Sequence, residues 1–273
     1  MLTVFSAWLL FILGLIVGSF LNVFIVRHQT GLSIKGRSFC FTCGHTLLWH
    51  DLIPLVSFIV YGGRCRYCGA RISFQYPLVE FIKGILFILV FLKLNPPFTV
   101  YYLLLTAYYL LTFTILLVIS AYDIRHKIIP NVLVYFFIAL SFAGIFIIHD
   151  SLFLIQNFVA GPLLALPFIA LWFASGGKWV GLGDAKLALG MGWLLGLSLG
   201  FAALILAVWT GAVAGLFLIV LSQGVSGIRR LFPGLKRFTI KSEIPFAPFL
   251  ILGTLFAFLL DISFTDIQLF MSF

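Results

Sequence analysis

The chain of 273 residues is 63% hydrophobic and only 9% charged, against roughly 25% charged in ordinary soluble domains. That composition leaves too few polar groups to cover a water-exposed surface and excludes a soluble globular protein. The net charge of +9 does not mark a nucleic-acid groove either, because the basic residues gather in the connections between long apolar runs.

Runs of about 20 apolar residues cross a ~30 Å hydrocarbon layer. They predict an all-α polytopic membrane protein of about eight transmembrane helices, at 3–26, 76–94, 98–121, 131–149, 152–174, 184–198, 200–222 and 245–263. Eight spans place both termini on one side. Fifteen of the 17 Lys and Arg residues then share one face. Arg27, Lys35, Arg37, Arg64, Arg66 and Arg71 lie in the first connection. Arg125, Lys127, Lys178, Lys186, Arg229, Arg230, Lys236, Arg237 and Lys241 lie in the others and their flanks. The positive-inside rule makes that face cytoplasmic, puts both termini outside and pairs the basic loops with anionic membrane lipids. The expected organisation is a first span over 1–26, a cytoplasmic four-Cys loop over 27–75 and a helical membrane domain over 76–273. Nothing in the pattern sets an oligomeric state.

The first span closes on Gly18-Ser19-Phe20-Leu21-Asn22. No basic residue precedes its apolar stretch and no small-x-small cleavage site follows, so it is read as a retained span. Asn22, near its inner end, calls for a helix–helix hydrogen bond. The following loop holds all four cysteines, Cys40 and Cys43, then Cys65 and Cys68, two C-x2-C hooks separated by 21 residues. Two such hooks supply four thiolates for a tetrahedral Zn²⁺. Gly44 and Gly62-Gly63 allow the tight turns, and a reducing cytoplasm disfavours the competing disulfides. Four thiolates close the site to water, so the expected role is to fold a small zinc-ribbon-like insertion, to which metal binding can contribute ~10–16 kcal/mol. His45 and His50 are secondary ligand candidates. Residues 52–61 form an apolar stretch interrupted by Pro54, too short to cross and suited to the bilayer interface.

The second span opens with Tyr76-Pro77-Leu78-Val79-Glu80. Proline is tolerated in a first turn, and Glu80 is favoured there by the helix dipole. Lys83 falls inside this span. Asp123 closes the third span, in Asp123-Ile124-Arg125-His126-Lys127, and Ile129-Pro130-Asn131 opens the fourth. A salt bridge to one of the adjacent bases is the bland alternative for Asp123. Gly181-Leu182-Gly183-Asp184-Ala185-Lys186 then sits where a polar connection meets another apolar run. Carboxylates at membrane depth are costly and mark functional sites, and the flanking glycines permit close approach. Two carboxyls held a few ångströms apart share one proton. The ionised one takes a proton from water while the protonated one polarises a scissile carbonyl, and a carboxyl then protonates the leaving amine. That is aspartic peptidase chemistry, without metal or covalent intermediate. A proton-coupled transporter could use such aspartates as a relay, and a noncatalytic secretion scaffold could use the ribbon for docking. The four-Cys insertion argues against the first.

Taken together, Gly18 to Asn22, both Cys pairs, Gln75 to Glu80, Asp123 to Asn131, Gly181 to Lys186 and Ile244-Pro245-Phe246-Ala247-Pro248-Phe249 resemble the type IV prepilin leader peptidase/N-methyltransferases over nearly the whole length. The Gly-x-Gly-Asp logic is similar to that of presenilin-type intramembrane proteases. The resemblance implies a prepilin or pseudopilin substrate cut after a glycine at the cytoplasmic membrane boundary, followed in many members by S-adenosylmethionine-dependent methylation of the new amine. It makes Asp123 and Asp184 the catalytic pair and Cys40, Cys43, Cys65 and Cys68 the zinc-type tetrad, in a bacterial inner membrane. A peptidase without methylation is the alternative, since no glycine-rich Rossmann fingerprint occurs. The Cys loop, Asn22, Glu80, Lys241 and Glu243 lie on the face where they can serve the methylation half. Glu80, Glu243 and Asp51 are the acidic residues available to a basic leader. Two departures from the family pattern, Phe41 for proline and Ala247 for glycine, are expected to lie away from the aspartates.

Overall fold

In this computed structural model, residues 2–27, 36–94, 99–148, 154–224 and 244–271 are described. Lys35, Asp150, Arg229, Arg230, Lys236, Arg237, Lys241 and Glu243 lie outside them. The regular secondary structure of the described residues is helical, with two isolated β-bridges in the cysteine loop and turns or irregular chain between elements. It divides into two compact units, residues 1–121 and 122–273.

In the first unit, α1 (Leu2–Arg27) packs antiparallel on α3 (Gln75–Leu94). Small residues let the backbones meet. A Cβ on Gly14 would lie 2.8 Å from the Gly84 Cα, and one on Gly18 would lie 2.7 Å from the Glu80 Cα. Gly14-x-x-x-Gly18 is thus a small-residue helix-packing stripe, legible in the sequence but not singled out there. The expected bond from Asn22 is present: its Nδ2 donates to the Tyr76 carbonyl at 3.0 Å. Lys83 is fully buried. Its ammonium donates to Thr114 Oγ1 and, at 3.4 Å, to the Leu110 carbonyl, and lies 4.4 Å from the Phe87 ring centroid. It therefore ties α3 to α4 (Val100–His126). Between α1 and α3 lies the cysteine loop, with a 3-10 turn at Trp49–Leu52 and a short α2 at Val56–Val60.

The second unit is organised around α7 (Leu182–Gly224), which packs against α5 (Asn131–Ile148), α6 (Leu154–Ser175) and α8 (Ala247–Leu260). A straight helix of 43 residues would be ~65 Å long, about twice the hydrocarbon thickness. Gly196 breaks it, with φ 75° and ψ −175°. The sequence reading placed this break at 198–200, within a few residues. A short α9 (Phe264–Met271) follows α8.

Among the described residues, four helices are long and apolar enough to cross a membrane: Ser6–Arg27, Val100–His126, Ile155–Ser175 and Leu182–Val220. A fifth arises if α8 and α9, bent by 94°, form one span. By length and composition the expected count of eight is therefore not reached. The helix α3 carries Glu80, Lys83 and Lys93, the apolar part of α5 is short, and the two runs expected on either side of residue 199 count as one broken helix. The class is unaffected: this is an all-α, multi-pass membrane protein.

Candidate active site and cysteine cluster

Asp123 lies in the last turn of α4 and is buried. The helix ends three residues later, at His126: the Lys127 N–H donates to the Asp123 carbonyl at 2.7 Å, and Lys127 itself takes a left-handed φ of 55°. The Asp123 carboxylate accepts the backbone N–H of Ala247, the first residue of α8. N–H groups at a helix start have no intrahelical acceptor, and the positive end of the helix dipole favours an anion there. Ala247 therefore contacts an aspartate through its backbone, contrary to the expectation that this departure lies away from the pair. Because the contact uses only the N–H, alanine supplies it as well as glycine would.

Asp184 lies in the first turn of α7 and is partly exposed. Its N–H donates to the Gly181 carbonyl at 3.2 Å, and its carboxyl takes a backbone hydrogen bond from Gly181. Asp123 is near enough to act electrostatically on Asp184. Two ties hold the start of α7 to the connection that follows Asp123. A Cβ on Gly183 would lie 3.0 Å from Ile129 Cδ1 and 3.1 Å from Ile129 Cβ, so only glycine fits without displacement. Lys186 Nζ donates to Asn131 Oδ1 at 2.9 Å and sits 4.7 Å from the Tyr135 ring centroid. Each aspartate thus occupies a helix terminus, one at a C-terminus and one at an N-terminus.

Ala247, Lys186 and Asn131 were not recognised as site residues from the sequence. The proline-rich 244–249 motif was visible, but its contact with residue 123 spans more than a hundred positions. Of the three acidic residues expected to be available to a basic leader, Glu80 and Asp51 are engaged internally, and Glu243 lies outside the described residues. Glu80 Oε2 accepts the Leu55 N–H at 2.9 Å, and the same carboxylate bonds Ser19. Asp51 Oδ2 accepts the Leu48 N–H at 3.0 Å and the Tyr67 hydroxyl at 3.1 Å.

The four cysteines converge. Sγ atoms of Cys40, Cys43, Cys65 and Cys68 all lie within 4.8 Å of one another, and none is in a disulfide. The two hooks share one construction. Cys40 N–H donates to the His45 carbonyl and Gly44 N–H to the Cys40 carbonyl; Cys65 N–H donates to the Ala70 carbonyl and Gly69 N–H to the Cys65 carbonyl. Gly44 (φ 71°) and Gly69 (φ 70°) close each turn in the left-handed region, where a Cβ is strained. The Cys43 N–H draws the Cys40 thiol down to about 6. At Cys68 the Ala70 N–H pulls the same way, but burial and the neighbouring thiols outweigh it and push that thiol up to about 12. Four sulfurs so close cannot all ionise without a cation among them, so the cluster is suited to hold a metal ion. His45 stacks on Tyr67 at 3.7 Å and His50 bonds Arg66 at 2.8 Å; neither belongs to the sulfur cluster.

Residues 12–94 match the Bacterial Peptidase A24 N-terminal domain and residues 110–216 match the Type IV leader peptidase family. Three relatives each carry the name prepilin leader peptidase/N-methyltransferase. That of Bacillus subtilis (strain 168) is 32% identical over 253 residues, covering 92% of this chain and 93% of the relative. That of Dickeya chrysanthemi is 30% identical over 278 residues, covering 89% of each. That of Myxococcus xanthus (strain DK1622) is 54% identical over a 79-residue segment, 29% of this chain and 24% of the relative. No solved structure matches the chain. The matched segments contain the cysteine cluster and both aspartates, and relatives align along nearly the full length: the chain belongs to the type IV leader peptidase family.

Proposed function

We propose that this protein is a prepilin leader peptidase in which Asp123 and Asp184 form the catalytic pair. The observation that carries the reading is the placement of two carboxyls at two helix termini of one compact unit, near enough for Asp123 to act electrostatically on Asp184, inside the segment that matches the peptidase family. Helix ends at a membrane boundary admit both water and an unwound substrate backbone. One carboxylate takes the proton of the attacking water, its protonated partner donates a hydrogen bond to the scissile carbonyl, and the leaving amine receives a proton as the tetrahedral adduct collapses. The Ala247 N–H holds the Asp123 carboxylate in place, and the Lys186–Asn131 bond holds the start of α7.

The four cysteines hold a structural zinc. A tetrahedral ion with Zn–S bonds of about 2.3 Å sets its sulfurs about 3.8 Å apart, and Cys40 Sγ and Cys68 Sγ lie 3.8 Å apart. Zinc would neutralise the thiolates and clamp the two hooks, while all chemistry on the peptide is left to the aspartates. The substrate is a prepilin or pseudopilin, processed at the cytoplasmic face of the inner membrane, with the cysteine loop on that face and both termini outside. The relatives' printed name supports a second activity, methylation of the new N-terminal amine. S-adenosylmethionine supplies the methyl group, and no residue of this chain is assigned to it.

The test is incubation of the purified protein, in nanodiscs, with a full-length prepilin and S-adenosylmethionine, read by mass spectrometry. The expected product lacks the leader and is one methyl group heavier at its new N-terminus. An intact prepilin refutes the reading, and a trimmed but unmethylated product reduces it to a peptidase alone.

A further inference from the structure

The cysteine loop exposes more apolar surface than its own fold uses. Around the 3-10 turn and α2, Trp49 is 78% exposed, Ile59 75% and Val60 69%, with Val56, Leu52 and Ile53 beside them. A patch of this kind marks an interaction surface. Its position is fixed by one joint. The Leu55 N–H donates to Glu80 Oε2 at 2.9 Å, and the same carboxylate bonds Ser19 of α1, so the loop, α1 and α3 meet at one buried group. Leu55 takes a φ of 60°, which a residue with a Cβ rarely adopts; the bond to Glu80 fixes the direction in which 56–60 leave that turn.

Glu80 is five residues into α3, about 7.5 Å along its axis. The headgroup layer of a bilayer leaflet is about 5–8 Å deep. With the start of α3 at the outer edge of the headgroups, the joint sets 52–60 level with the boundary between headgroups and acyl chains. Arg64 and Arg71, paired through their backbones in one bridge, are both exposed on the same small loop. The loop's described acid, Asp51, is held by Leu48 and Tyr67.

We infer that the 49–60 segment of the cysteine loop is an interfacial anchor, inserted into the leaflet beside the start of α3, with Trp49, Ile59 and Val60 among the upper acyl chains and Arg64 and Arg71 on anionic headgroups. An exposed tryptophan at the headgroup level and basic residues above an apolar face are the pattern of surface-lying membrane segments. The occupant is lipid, because the patch is tied to α1 and α3 at Ser19 and Glu80, inside these apolar helices rather than beyond their ends. The inference rests on the membrane reading of α1 and α3, not on the peptidase chemistry.

The test uses the full-length protein in nanodiscs of phosphatidylglycerol and phosphatidylcholine. Emission of wild type minus Trp49→Phe isolates Trp49 among the six tryptophans. The expected difference spectrum is blue-shifted, strongly quenched by lipids brominated near the ester linkage and insensitive to iodide in the buffer. Replacing phosphatidylglycerol by phosphatidylcholine, or both arginines in R64Q/R71Q, shifts it toward red and opens it to iodide. A red-shifted, iodide-quenched Trp49 in wild type overturns the proposal, as does a Trp49 that becomes shielded only when prepilin is added. Unchanged metal content of each variant shows that the loop remains folded, and retained prepilin cleavage keeps a failure here separate from a failure of the peptidase reading.

Discussion

The two glycines of Gly181-Leu182-Gly183-Asp184 have different surroundings, and this yields a sharp contrast. A Cβ added at Gly183 would lie 3.0 and 3.1 Å from Ile129 Cδ1 and Cβ. Rotating the isoleucine moves the first atom but not the second, which belongs to the backbone-fixed part of the side chain. The start of α7 must therefore shift from the 128–130 connection by several tenths of an ångström. That connection continues directly from the turn carrying Asp123, so the carboxyl pair opens with it. Misplacing catalytic groups by about 1 Å can cost ~100-fold in rate, and the smaller shift here predicts a loss of roughly 10- to 100-fold. Stability changes little: overpacking costs about 1–3 kcal/mol, while replacing glycine by alanine in a helix returns about 1 kcal/mol. At Gly181 the same Cβ meets nothing nearer than Asp184 Oδ2 at 3.8 Å, an ordinary contact. Single-turnover cleavage of prepilin in nanodiscs should thus fall steeply for Gly183→Ala and by no more than a few-fold for Gly181→Ala. Equal losses in the two variants, or full activity in Gly183→Ala, would refute the packing argument.

Two further predictions concern other parts of the chain. Lys186→Met and Asn131→Ala each remove the 2.9 Å tie between α7 and α5, and each should lower the cleavage rate about 10-fold with little change in KM. The double variant should be no worse than either single one, because the two residues share one interaction; additive losses would show that they act separately. Stripping metal with a strong chelator should expose all four cysteines to alkylation and the 36–74 loop to protease, while the helical part stays folded. Retained protection after complete metal removal would mean that the loop does not depend on metal for its fold.

Local patterns were the legible part of this chain. Apolar runs marked most helices, and the C-x2-C hooks with glycine next to Cys43 and Cys68 announced a sulfur cluster because each turn is built within six residues. Asp123 and Asp184 stood out because charge is rare and costly in such a sequence. The unreadable part was non-local. Nothing near Asp123 shows that its carboxylate takes the N–H of Ala247, and nothing near Leu55 shows that its turn is held by Glu80. Lys83 could be placed inside a span, but its buried ties to Thr114 and the Leu110 carbonyl depend on how α3 meets α4. The count of spans also went beyond what hydropathy carries: Gly196 breaks a helix without any change in apolarity.

The central claim is that Asp123 and Asp184 act as a pair, and the most direct measurement is prepilin cleavage by Asp123→Asn and Asp184→Asn beside the wild-type protein. Each substitution removes an ionisable carboxyl at almost constant shape, and two groups that share one proton cannot replace each other. With insertion and thermal stability shown to be unchanged, each single variant should cut no detectable prepilin, and the double variant should look the same. Cleavage near the wild-type rate by either single variant would contradict the account.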